Sequence, residues 1–169
     1  MVSHTPRHTP PHTPKHTPDA AIIEQTLRVA GESVAQGCGG PFGAAVFATG
    51  SGEILAVAAN RVLADCDPTA HAEMGAIRKA CAAVGNPHLE GYSLYATGQP
   101  CPMCLAAIHW ARLDAYYYTT TYAEAAAIGF DDAAIRDSLA GVIAPMTPGT
   151  PWPDEAVRRF FLEYGGKRY

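Results

Sequence analysis

Cys101 and Cys104 stand three positions apart, with Pro102 and Met103 between them, just before a stretch of helical character. At a helix start, that spacing lets both sulfurs turn to one point, and the electropositive helix end favours thiolates. Thiolates joined by an imidazole form a zinc ligand set. His71, at another expected helix start, is the natural third ligand. The spacing alone also admits a redox pair. Glu73, two residues after His71, tips the balance towards metal. A zinc with three protein ligands keeps a place for water and lowers its pKa towards ~7, and a nearby carboxylate can then move the proton. A structural zinc would instead need a fourth protein ligand. Cys66 is the main candidate, because Cys38 lies in a glycine turn and Cys81 lies mid-helix among alanines.

These groups need elements to hold them. Asp19 is placed to cap a first helix, in which Ile22, Ile23, Thr26, Leu27, Ala30 and Val34 share one face. The Gly37–Pro41 segment ends that helix. Strands are expected over 42–48 and 53–59, joined at Gly50-Ser51-Gly52, followed by a loop over 61–68. A second helix is expected over 69–84, a strand over 92–96, a helix over 102–112 and a strand over 115–119. Residues 122–139 read as helical around a break at Gly129-Phe130, Val142 and Ile143 could start a fifth strand, and 152–164 reads as a terminal helix. Such alternation indicates one α/β domain built in layers around a sheet.

The 169 residues suffice for one such domain, and 48% hydrophobic with 17% charged residues is ordinary globular composition. Twelve basic against sixteen acidic residues give a net charge of -4, which disfavours a polyanionic partner such as nucleic acid. No apolar run is long enough to span a membrane, and the N-terminus lacks a signal-peptide core, so a cytoplasmic protein is expected. Residues 1–18 differ in kind from the rest. His-Thr-Pro recurs at His4, His8, His12 and His16, with five prolines between Pro6 and Pro18. We read 1–18 as a flexible extended tail and 19–169 as the functional domain.

His71-Ala72-Glu73 followed by Pro100-Cys101-Pro102-Met103-Cys104 resembles the zinc signature of the cytidine deaminase superfamily, His-x-Glu then Pro-Cys-x-x-Cys. The resemblance covers nearly all of 20–169. It implies a three-layer α/β/α cytidine-deaminase-like fold with a central mixed five-stranded sheet, one Zn2+ per subunit and hydrolytic deamination of an aminated nitrogen heterocycle. In that scheme zinc-bound hydroxide is the nucleophile and Glu73 shuttles the proton. His71, where nucleoside cytidine deaminases carry Cys, argues against that branch. Gly39-Gly40-Pro41-Phe42-Gly43-Ala44, Asp67 to Glu73 and Gly129-Phe130-Asp131-Asp132 are similar to the bacterial guanine deaminases of this fold, as is an ending on Lys167-Arg168-Tyr169.

That likeness implies conversion of guanine to xanthine plus ammonia. It implies that Phe42 packs on the purine, Asn60 contacts it, Asp132 contacts the base and helps move protons, and Tyr169 closes the pocket from a domain-swapped partner in a homodimer. The residues expected at the substrate are therefore Phe42, Asn60, Ala72, Trp110 and Tyr169, with Glu73 and Asp132 catalytic. Physical chemistry runs beside this: a flat heterocycle needs an aromatic face, which Phe42 or Trp110 would offer, and polar groups matching its edge. Plainer roles compete. Phe42 could be core, Asn60 a turn residue, Trp110 packing, and Asp131 or Asp132 a helix cap. One departure stands out: those guanine deaminases usually carry Glu where this chain has Gln99. Alternative substrates are a purine nucleoside, cytosine, another aminated heterocycle or a tRNA adenosine.

Overall fold

In a computed structural model, residues 17–139, 150–151 and 154–164 are described. Helix α1 spans Ala20–Ala35. Asp19 caps it as expected, its Oδ1 accepting the Ile22 amide at 3.0 Å. The buried face is Ile22, Ile23, Thr26, Ala30 and Ser33. Ser33 takes the place expected of Val34 because its hydroxyl donates to the Asn60 carbonyl at 2.8 Å.

Strand β1 is Gly43–Ala48 and β2 is Ile54–Ala59, so Phe42 lies just outside the strand expected to contain it. The expected loop over 61–68 contains a one-turn helix, α2, at Val62–Asp65. Helix α3 runs Ala72–Val84, β3 Tyr92–Gly98, α4 Pro102–Trp110 and β4 Ala115–Thr120. The helical stretch after β4 is divided at Gly129-Phe130 into α5, Tyr122–Ala127, and α6, Ala133–Leu139. A two-residue strand β5, Thr150–Pro151, precedes α7, Glu155–Leu162. Val142 and Ile143, expected to start the fifth strand, lie outside the described residues, as do the His-Thr-Pro repeats before residue 17 and Tyr169.

The sheet order is β2-β1-β3-β4-β5. β1 is antiparallel to β2 and β3, whereas β3, β4 and β5 run parallel. The sheet is therefore mixed, with four strands of six or seven residues and a two-residue pairing at its edge in place of a full fifth strand. Alternation along the strands builds a core on each face. Ala44, Val46, Leu94 and Ala96 face α3 and α4, with Ala72, Ala76, Ala80 and Ile108. Ala45, Phe47, Tyr95 and Tyr117 face the other way, onto Ile22, Ile23 and Val157 of α1 and α7. Helices thus cover both faces, making the three expected layers. Because both faces are covered, β1 reads as a continuous apolar run rather than an alternating one.

Candidate active site

The parallel pair β3 and β4 joined through α4 sets the site, because such a crossover returns helix α4 alongside α3. Both helices begin at the same end. His71 is the residue that precedes α3 and Cys101 the one that precedes α4, with Pro102 in the first turn, where its missing N–H costs nothing. Cys104 follows one turn into α4 and is fully buried. The Nδ1 of His71 lies 3.6 Å from the sulfur of Cys101 and 3.6 Å from that of Cys104.

Those distances test the fit of a metal. Zinc–nitrogen and zinc–sulfur bonds of about 2.1 and 2.3 Å at tetrahedral angles place the two ligand atoms about 3.6 Å apart. The three ligand atoms lie within 4.8 Å of one another, so the set fits a zinc ion. Cys66, the contender for a fourth ligand, is exposed, with its thiol turned to the Leu63 carbonyl at 3.8 Å. Among the described residues, the group has three members and so leaves a coordination position for water.

The charges around this point are coupled. Hydrogen bonding from Cys104 pulls the Cys101 thiol down to about 4, against the opposing effect of burial and with help from His71. Cys104 is pushed up, by its bond to that thiolate and by burial beside Glu73. The two sulfurs thus form a coupled pair in which one thiolate is favoured and a second is opposed. His71 is raised: burial works to lower it, but the bond to Cys101 and the charges of Glu73 and Cys101 prevail. Burial raises the Glu73 carboxyl, which is only 7% exposed.

A cavity of about 370 Å³ opens over the group, and His71, Glu73 and Cys101 lie in its wall with Phe42, Asn60, Gln99, Phe130 and Asp132. Asn60 is 1% exposed, so it is more than a turn residue. Its Oδ1 accepts the Val62 amide at 3.2 Å and the Gly40 amide at 3.4 Å. Phe42 meets Phe130 edge-on at 4.9 Å between ring centroids and Phe161 of α7 at 5.1 Å. Glycines make room for these rings. A Cβ on Gly40 would sit 2.8 Å from the Phe130 ring, and one on Gly98 would sit 3.1 Å from Phe42. Asp131 and Asp132 both lie at the cavity wall and differ in their bonds: Asp131 is exposed, and its Oδ1 accepts the Ala133 amide at 2.9 Å and makes the local turn. Asp132 Oδ2 is buried and takes no hydrogen bond.

Two expected substrate contacts lie elsewhere. Trp110 is 83% exposed and absent from the cavity wall. It ends α4, about 12 Å along the axis from the cysteine end at 1.5 Å per residue. Ala72 is fully buried, its methyl in the core under the sheet, so the cavity is lined by its neighbours His71 and Glu73 instead. Gln99 keeps an acceptor where a carboxylate was expected: its Oε1 takes the Tyr122 amide at 3.2 Å. Sequence reasoning missed Tyr122 and Arg136. The signal for Arg136 was its position four residues after Asp132.

Three ligands, an open coordination position and a buried carboxylate at the start of a helix are the apparatus of a zinc-dependent hydrolytic deaminase. The sequence pattern of the cytidine and deoxycytidylate deaminase zinc-binding region matches residues 16–120, and the chain belongs to that family. It is 46% identical over 117 residues to the guanine deaminase of Bacillus subtilis, covering 69% of this chain and 74% of that protein. The crystal structure of the Bacillus subtilis guanine deaminase superposes with a TM-score of 0.68 at 36% identity, covering 90% of this chain and 99% of that one. A guanine deaminase from Nitrosomonas europaea gives a TM-score of 0.73 at 27% identity over 87% of this chain and 85% of the other. The tRNA-specific adenosine deaminase of Agrobacterium fabrum is 48% identical, but over 67 residues, 40% of this chain and 44% of that protein.

Proposed function

We propose that this chain deaminates guanine hydrolytically, giving xanthine and ammonia. The observation that carries the reading is one cavity whose wall holds His71 and Cys101, with Cys104 buried behind them in the same ligand group, beside buried Glu73 and the Oδ2 of Asp132. Similarity to guanine deaminases along most of the chain supports the choice of ring.

His71, Cys101 and Cys104 would hold one zinc ion. Bound there, the ion supplies a Lewis acid that lowers the pKa of water towards ~7. Glu73 takes a proton from the attacking water and hands it to a ring nitrogen as oxygen adds at the amine-bearing carbon. It then takes the proton of the added hydroxyl and delivers it to the amino group, so that the carbonyl forms as the carbon–nitrogen bond breaks and ammonia leaves. A carboxyl raised by burial suits this work, since transfer is best when the pKa is near the operating pH. Asp132 Oδ2 accepts from N1–H or the exocyclic amine. Asn60, with Oδ1 occupied by backbone amides, offers its Nδ2 hydrogens to a ring acceptor. Phe42 and Phe130 supply apolar surface for the ring.

The same reading includes the rest of the assembly. Residues 19–169 form the deaminase domain, with 1–18 a tail outside it. The protein works as a cytoplasmic homodimer, and the C-terminal segment ending at Tyr169 closes the cavity of a partner. Within one chain α7 packs at the edge of its own cavity, through the Phe42–Phe161 contact, so in this reading it is the segment after α7 that reaches the partner. No helix of the described residues is long and apolar enough to cross a membrane.

The test is ammonia release from the zinc-loaded protein, with guanine, guanosine, adenine, cytosine and cytidine at equal concentration and a tRNA as a further arm. Release from guanine with xanthine appearing by absorbance supports the reading. Release from another substrate alone, or from none, overturns it.

A further inference from the structure

The carboxylate of Asp132 is held by one oxygen and bare at the other. Arg136 Nε donates to Oδ1 at 2.7 Å, and the pair is partly buried, with side-chain exposures of 34% and 20%. Oδ2 is buried in the cavity wall without a hydrogen bond. A buried acceptor left unpaired by protein is costly, so a native protein that keeps one pairs it with water or with a donor on a ligand.

Arg136 is itself held from behind. Its Cζ lies 4.2 Å from the centre of the Tyr122 ring. Tyr122 is tied to the segment that leads into Cys101: its hydroxyl donates to the Pro100 carbonyl at 2.6 Å and its amide to Gln99 Oε1 at 3.2 Å. A chain of contacts thus runs from the metal-ligand loop through Tyr122 and Arg136 to Asp132. A simple surface pair four residues apart contributes little and needs no such support. Helix capping does not explain Asp132 either, because Asp131 takes that part.

We propose that Arg136 is a positioning residue for guanine: by occupying Oδ1 it turns the carboxylate of Asp132 so that only Oδ2 meets a substrate N–H donor. The inference rests on the reading that Asp132 faces the base. Without Arg136 the carboxylate is free to rotate, and its donor on Oδ1 is lost. A planar guanidinium that bonds through Nε while stacking on a ring fixes a carboxylate as a flexible ammonium does less well.

The test is a double-mutant cycle on the zinc-loaded full chain: wild type, Arg136→Gln, Asp132→Asn and the double variant, with Arg136→Lys alongside. Steady-state turnover of guanine and the dissociation constant of xanthine are both measured, so a slow background still gives a reading. Arg136→Gln is expected to lower kcat/KM about tenfold to a hundredfold, the range for loss of a charge-assisted hydrogen bond. The same change is expected to add less than about twofold in the Asp132→Asn background. Arg136→Lys should recover part of the loss. Equal losses in both backgrounds, or a lysine variant no better than glutamine, overturn the positioning role. A wild-type protein inert towards guanine overturns the guanine reading itself, and this inference with it.

Discussion

The Nδ1 of His71 and the sulfur of Cys104 lie 3.6 Å apart although 33 residues separate them in the chain. Two helices starting side by side bring them together, and the same junction puts Glu73 at the cavity wall two residues from His71.

If Glu73 moves the protons, Glu73→Gln retains zinc and loses turnover by about 10² to 10⁴-fold, the range for a general acid–base. Metal analysis beside an ammonia assay checks it. Ordinary turnover in the variant would assign the proton transfers to another group.

Zinc uptake should release protons. Cys101 is drawn down to about 4 and Cys104 is raised, so the coupled pair favours one thiolate over two. Both must bind as thiolates, so each zinc displaces at least about one proton from the pair at pH 7. Affinity should therefore climb as pH rises, about tenfold per unit for that proton. Calorimetry in two buffers of different ionisation enthalpy reads the number directly, and a value of zero contradicts the assignment.

Gly40→Ala should strain the aromatic wall. Its Cβ would meet Phe130 at 2.8 Å and Phe42 at 3.0 Å. A loss of about 1–3 kcal/mol is expected for such overpacking, measured by urea denaturation, with a raised KM for guanine. Unchanged stability would mean that the rings can shift freely, and the stacking role given to Phe42 would weaken.

Removing the last five residues tests the closing role of Tyr169. Zinc content should stay at one per chain while turnover falls about tenfold or more, as when a lid that excludes water is lost. Full activity in the truncated protein would exclude a C-terminal lid.

The group that could hold a metal, His71, Cys101 and Cys104, and Glu73 beside it were legible as candidates because a ligand set demands particular residue types at particular spacings, and helix starts are marked by local residues such as Pro102. Helix and strand periodicity likewise marked most elements, since apolar faces repeat at 3.6 or 2 residues. Phe42 and Asn60 were legible as candidates but not as neighbours. Only packing brought Phe42 against Phe130 and Phe161 and turned the Asn60 carbonamide onto two backbone amides. Trp110 shows the opposite: an aromatic in the right helix, carried away from the cavity by the rise of that helix. Which of two adjacent aspartates bonds the first amide of α6 was also beyond sequence, since either side chain can reach it. The tertiary structure gave that bond to Asp131, while one oxygen of Asp132 is claimed by Arg136 and the other is buried where no neighbouring protein donor reaches it.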